Sequence, residues 1–420
     1  MSLETGIGRG NTREGLNPAR LAPAPLLGLR PRMIVRTVRR LLLAMGLASC
    51  ARAPRAAPVP VVSFATDTAR AQVLRDGVTH WFIYARSGPW AINALVVDRD
   101  ACYSALAVKG AEGAIGREKT SVMLERLRSS SDVVGGVNAD FFLFTPPGVP
   151  TNLLVSHGRV VTGPSAQPVL AFDSVGTPHL THFRIDGSIT TTNARVPIAA
   201  WNRAAPSGIA LFDDTWGGST DSVSAAVEVV LDGLPSGRVT RIDTLTTGVA
   251  VGTGQAALVG RGSEARATLL ALGVGDSVRV QVALRPFHPM EALGGRPLLV
   301  QDSAIVAGLD TAGGPGFAAG RHPRTAVGVA RDGRRLLLVV VDGRQKPYSD
   351  GMTLRELAEV MRGLGARDAI NLDGGGSTTL VHADPRSAGS LRIANRPSDP
   401  TGERPVGDVL AIVRGCARRR

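Results

Sequence analysis

Lysine and cysteine are both scarce in this 420-residue chain. Lysine stands only at 109, 119 and 346, although Lys and Arg together number 48. Arginine therefore carries nearly all the positive charge, and the glycine triplet at 374–376 lacks the Gly-Lys-Ser/Thr ending of a Walker A loop. The three cysteines, Cys50, Cys102 and Cys416, have no histidines at metal-ligand spacing, so no zinc site is read. Basic stretches interleaved with aromatics are absent. Of the net +13, residues 1–50 hold +6 and the arginines at 414 and 418–420 hold +4, which leaves +3 for the body. So mild a charge argues against a nucleic-acid partner. No apolar run is long enough to span a bilayer, and no internal repeat is present.

What is present divides the chain unevenly. Residues 1–32 are rich in Arg, Pro and Gly without periodicity and read as a disordered or non-native extension. Residues 33–50 have a basic start, a short apolar run and Leu47-Ala48-Ser49-Cys50, the form of a bacterial lipoprotein signal. On that reading Cys50 is lipidated, residues 51–60 are a tether, and the protein is exported and held to a membrane by its lipid. Cys102 and Cys416 then either pair, tying the C-terminal tail to an early strand, or remain free thiols. The body spans residues 61–413, followed by a basic tail at 414–420.

Strand-like runs dominate that body, at 81–84, 91–97, 169–172, 223–231, 277–284 and 336–341. Helical patterns are few, chiefly 120–128 and 353–364. The mixture predicts an α+β fold with a mixed β-sheet core and a β-rich insertion at about 188–290. The most informative stretch is residues 335–380. A continuous β-branched run at 335–341 has the pattern of a strand buried on both faces, and it ends in Asp342-Gly343-Arg344. Thr353 with Glu356 predicts a capping box, and Leu354, Leu357, Ala358, Met361 and Leu364 share one helix face. A second short strand at 369–372 delivers Asp373 into Gly374-Gly375-Gly376-Ser377-Thr378-Thr379. Such a turn can converge main-chain N–H groups on an anion, or can be a plain tight turn.

The segment Asn371-Leu372-Asp373-Gly374-Gly375-Gly376-Ser377 resembles the signature of the phosphodiester glycosidase family. Further segments follow in the family's order: Gly136-Val137-Asn138-Ala139-Asp140-Phe141-Phe142, Gly294-Gly295-Arg296-Pro297-Leu298-Leu299-Val300 and His322-Pro323-Arg324-Thr325-Ala326-Val327-Gly328. Val341-Asp342-Gly343-Arg344, Asn395-Arg396-Pro397-Ser398 and Glu403-Arg404-Pro405-Val406 complete the set. Asp140 is a departure, since many members have glycine there. The resemblance implies an exported hydrolase that cuts the glycosidic C–O bond of sugar-1-phosphodiesters in envelope or exopolysaccharide material.

That reaction places oxocarbenium character on the sugar and negative charge on the departing phosphate. It calls for a carboxylate at the anomeric carbon and fixed donors at the phosphate. Asp373 is the leading catalytic candidate, with Asp342 and Glu403 as further carboxylates. Arg324, Arg344 and Arg404 are candidate phosphate clamps, because a guanidinium meets phosphate oxygens two at a time. Asn138, Asp140, Asn371, Gly374, Gly375, Gly376, Ser377 and Thr378 complete the expected substrate-binding set. Phe141 and Phe142 read as core or as a sugar platform, and His322 as a turn residue or proton carrier. No cofactor or metal is called for. Two other classes stay open: a metal-dependent phosphodiesterase using Asp342, Asp373 and Asn138 as ligands, and a polysaccharide-binding lipoprotein without activity.

Overall fold

The computed structural model describes residues 60–416 except 111–112, 221–225, 245–247 and 388. The leader with Cys50, the segment before it and nearly all of the tether lie outside the described residues. Among those described, no helix is long and apolar enough to cross a membrane.

Strand Arg335–Val341 alternates between two cores. Leu336, Leu338 and Val340 enter one, while Leu337, Val339 and Val341 enter the other. A strand covered on both faces has no solvent side, so its sequence is an unbroken apolar run. It lies fourth in an eight-stranded sheet ordered Thr68–Arg75, Val78–Ala85, Trp90–Asp98, Arg335–Val341, Arg324–Ala330, Ala366–Asn371, Leu298–Gln301, Ala304–Ile305. Helix Leu354–Gly363 covers one face of this sheet, burying Leu354, Leu357, Ala358, Val360 and Met361. Its capping box forms as expected: Glu356 N–H donates to Thr353 Oγ1 at 3.1 Å, and Thr353 N–H to Glu356 Oε2 at 2.9 Å. Caps of this kind contribute about 1 kcal/mol.

The other face packs on a five-stranded sheet ordered Leu391–Ile393, Leu380–Ala383, Asp132–Asn138, Asp408–Arg414, Tyr103–Lys109. Val137, Leu380, Leu410 and Ile412 from this sheet meet Leu336, Leu338 and Ile370 from the first. Helix Thr120–Leu127 closes its outer face with Met123 and Leu124. The result is a helix–sheet–sheet–helix sandwich, an α+β fold with few helices. The last strand lies along Tyr103–Lys109, and a disulfide joins Cys102 to Cys416 with Cα atoms 4.4 Å apart.

The described residues of 184–285 form a closed seven-stranded barrel with its own core of Ile209, Leu211, Val229 and Leu258. One of its pairs is parallel, Arg195–Trp201 with Gly208–Asp213. The expected strand at 223–231 is seen as Val227–Leu231. A further five-stranded sheet, which includes Glu291–Gly294 and Leu154–Ser156, is likewise buried on its inner strands.

Candidate active site

The glycine turn is held where strand ends from the two sandwiched sheets come together. Asn138 ends a strand of one sheet and Asn371 a strand of the other. Asn138 is fully buried; its Nδ2 donates to Asp373 O at 2.7 Å, and its Oδ1 accepts from Thr379 N–H at 3.1 Å and Thr325 Oγ1 at 2.8 Å. One amide thus ties both ends of the turn. Asn371, also fully buried, donates from Nδ2 to Arg296 O at 2.6 Å and fixes the neighbouring loop. Both were expected to bind substrate. In the structure Asn138 satisfies buried main-chain groups that would otherwise lack partners, and Asn371 spends its amide nitrogen in the same way while its Oδ1 has no partner among the described residues.

Asp373 stands at the mouth of the turn, partly exposed. Its N–H donates to Ala139 O at 2.9 Å, and its Oδ1 accepts from Gly374 N–H at 2.9 Å. Burial pushes its pKa up to about 6; the Ser377 hydroxyl, the Gly374 N–H, Arg404 and Arg296 oppose that rise. The three glycines are needed because other groups occupy the space their side chains would fill. A Cβ on Gly375 would lie 3.2 Å from Arg344 Nη1, and one on Gly376 would collide with Asp399 and Arg404. Gly375 also has φ +62°.

The expected anion nest is largely spent inside the fold. The N–H groups of Gly374 and Gly375 donate to Asp373 and Pro323 O, and those of Ser377 and Thr378 to Gly374 O and Gly375 O. Ser377 and Thr378 are buried, with 0% and 1% exposure. Negative charge at this turn is therefore met by arginines rather than by the main chain.

Three arginines converge there. Arg344 is exposed, with its guanidinium over Gly375, and its Nη2 donates to His322 Nδ1 at 3.2 Å. A guanidinium can only donate, so His322 Nδ1 carries the lone pair; Nε2 then holds the hydrogen and donates to Gly316 O at 2.8 Å. His322 acts as a strut for Arg344. Arg404 forms a two-pronged pair with Asp399, at 2.8 and 2.9 Å, beside Gly376. Arg296 is exposed, sits 4.9 Å over the Phe141 ring and lowers the pKa of Asp373. Arg296 was quoted within its motif but not singled out; an arginine between Gly-Gly and Pro in a matching segment was the available signal. Phe141 faces Phe317 at 6.0 Å, while Phe142 belongs to the core.

Other expected residues turn inward. Asp342 has no exposure: Oδ1 accepts from Asn395 Nδ2 and Arg396 N–H, both at 3.0 Å, and Oδ2 from Tyr348 at 3.1 Å. Burial raises its pKa to about 6, and its oxygens are engaged by these donors. Glu403 accepts from Ser121 N–H at 2.7 Å and Ser121 Oγ at 2.6 Å, which places it at the start of helix Thr120–Leu127 rather than in the site. Arg324 is 2% exposed and donates to the carbonyls of Met352, Phe317 and Gly320. Burial lowers its pKa to about 10, helped by the nearby charge of Arg344. A phosphate clamp it is not; it braces the loop that carries His322.

Asp140 is 2% exposed; its Oδ2 accepts from Asn152 N–H at 2.8 Å, and its own N–H donates to Asp408 Oδ1 at 3.0 Å. Burial, then the charge of Asp408, drives its pKa well above the carboxylate range, which favours the neutral carboxyl in this buried position. Asp408 is raised as well, by burial and by Asp373, with Lys109 opposing. Asp408 and Lys109 had no motif to announce them. The proposed metal ligands do not form an open set, since Asn138 and Asp342 spend their oxygens internally. Among the described residues no group of three or more His, Cys, Asp or Glu is arranged to hold a metal ion.

No curated protein matches the sequence. Solved structures share the fold. A hypothetical protein from Synechocystis superposes with a TM-score of 0.69 at 22% identity, over 83% of this chain and 64% of that one. This chain thus spans less than two thirds of that protein. A candidate exported protein from Burkholderia pseudomallei gives 0.68 at 21% identity, over 85% and 98%. The catalytic domain of zebrafish N-acetylglucosamine-1-phosphodiester alpha-N-acetylglucosaminidase, auto-inhibited by its pro-peptide, gives only 0.41 at 17% identity, over 86% and 87%. Residues 226–413 carry the family evidence: they match the phosphodiester glycosidases, which bears out the resemblance read from the motifs.

Proposed function

We propose that the protein hydrolyses glycosyl-1-phosphodiesters at the anomeric C–O bond. One observation carries this reading: a half-buried aspartate, Asp373, stands among arginines of which Arg344 and Arg296 have no carboxylate partner at ion-pair distance among the described residues. With a pKa of about 6, Asp373 is mostly ionised at neutral pH and can face the positive anomeric centre. The C1–O bond breaks, its electron pair leaves with oxygen, and the departing phosphomonoester gains charge that Arg344 and Arg296 offset; water adds its oxygen to C1 and releases a proton, which gives the free sugar. A phosphate leaves well, so little proton donation is needed. This accords with a site whose other nearby carboxylates are buried or paired.

Asp373→Asn keeps the side-chain size and removes the charge. Turnover is expected to vanish with the fold intact, read as free sugar plus phosphomonoester released from a glycosyl-1-phosphodiester. Near-normal release by the folded variant would refute the assignment. Free sugar-1-phosphate as product would mean a phosphodiesterase instead.

Envelope location is part of the same proposal. It rests on the signal-like segment ending at Cys50, on the Cys102–Cys416 disulfide, which suits an oxidising compartment, and on a similar fold in a candidate exported protein. Labelling with a palmitate analogue should mark the wild type and not Cys50→Ser.

A further inference from the structure

Arg396 lies outside the chemistry described so far, yet it is built like a binding group. Its guanidinium stacks 4.0 Å over the ring of Tyr348, which is itself stacked on Tyr84 at 6.4 Å. Its main chain is pinned on both sides: the N–H donates to Asp342 Oδ1 at 3.0 Å, and the carbonyl accepts from Gln345 Nε2 at 2.9 Å. The side chain is exposed, and no carboxylate or carbonyl takes its N–H donors among the described residues. Stacking holds the plane of the guanidinium while its edge stays open, the state in which a planar fork loses least freedom on meeting a phosphate.

Its position gives this meaning. Gln345 and Tyr348 belong to the turn that begins at Arg344, the arginine over Gly375. Arg396 is thus tied, through Gln345 and Tyr348, to the turn that carries Arg344, and among the described residues Arg296, Arg344 and Arg396 have no carboxylate at ion-pair distance. One phosphodiester has a single charge and two free oxygens, which one or two guanidinium groups satisfy. A third open arginine is in excess of that need, and a second phosphate beside it would offset the mutual repulsion of the group.

We infer that Arg396 on Tyr348 forms a second phosphate subsite, and that the substrate is a glycan with repeating phosphodiester links. This rests on the hydrolase reading above, with Arg296 and Arg344 serving the scissile phosphate. The glycan is favoured over a nucleic acid because the body is only mildly basic, at +3.

The test uses Asp373→Asn protein, which binds without turnover, in calorimetric titrations. The probes are a glycosyl-1-phosphodiester with one phosphate, a synthetic oligomer of three phosphodiester-linked sugars, and a single-stranded oligonucleotide with the same number of phosphates. The oligomer should bind on the order of tenfold tighter than the single diester, about one charge-assisted contact, and the gap should narrow with added salt. Adding Arg396→Ala should remove that gap and leave the single diester unchanged, with Arg396→Lys restoring part of it. Equal binding of oligomer and single diester would overturn the inference, as would equal weakening of both by Arg396→Ala. An oligonucleotide bound as tightly as the glycan would also overturn it. Failure of the wild type to cleave either glycan, with the Arg396-dependent gap intact, would refute the hydrolase reading alone and leave the subsite standing.

Discussion

Replacing Asn138 with alanine probes how the site is held rather than what it binds. The amide is fully buried and bridges Asp373 O, Thr379 N–H and the Thr325 hydroxyl. Alanine strands two main-chain groups in the interior, each costing about 1–3 kcal/mol without a partner. The Thr325 hydroxyl loses less, because Thr378 Oγ1 lies 3.4 Å away as an alternative. The expected loss is about 3–5 kcal/mol, a large part of the stability of an ordinary domain. Urea unfolding should show a lower midpoint at unchanged slope. Asn138→Asp separates the contacts, since it keeps both acceptor bonds but turns an oxygen toward Asp373 O; it should be as damaging as alanine. A loss under about 1 kcal/mol for alanine would refute the tie between the turn's ends. A normal melting curve for Asn138→Ala with weakened substrate binding would restore Asn138 to the substrate-contact role.

Three more expectations follow from named groups. Asp373 has a pKa raised to about 6, so kcat/KM should fall on acidification through pH 6; the same shift makes its contribution to stability full below about 4 and lost as pH rises through 6. An acid limb that stays unchanged in a slow but active Asp373 variant would assign it elsewhere. His80 and His382 are buried with rings 4.7 Å apart; burial first, then the other histidine, lowers His80 to about 4, and burial lowers His382. The contribution of His80 is present above about 6.5 and lost as pH falls through 4, and that of His382 is lost in the same direction, with Asn93, Arg392 and Asp384 as the groups that face them; His382→Phe should flatten the pH dependence of unfolding, and an unaltered slope would disprove it. Gly376→Ala forces a methyl onto the Arg404–Asp399 pair, so turnover should drop at least tenfold by loss of a charge-assisted contact, while a fully active variant would show that the pair can shift freely.

The sequence by itself determined the sandwich's central pieces. The apolar run at 335–341, the capping box at Thr353 and Glu356, and the strand leading to Asp373 each follow from local pattern, because burial and capping leave direct signatures in residue order. It also marked the polar clusters at strand ends, while the pairing of Cys102 with Cys416 stayed open until the structure joined them. Only the tertiary structure decided which of those polar groups face outward. Asp342, Arg324, Asn138 and Glu403 look no different in one dimension from Asp373 and Arg344, since charge beside a glycine turn serves a ligand or a buried main-chain group equally well. The choice depended on what approached from elsewhere in the chain: Asn395 and Tyr348 on Asp342, the Met352 and Phe317 carbonyls on Arg324, Ser121 on Glu403. Arg296 and Arg396 stayed open because rings from distant segments, Phe141 and Tyr348, support their faces and leave their edges free. Those partners lie 155 and 48 residues away in the chain, and only the packing of the folded sheets and loops brings them together.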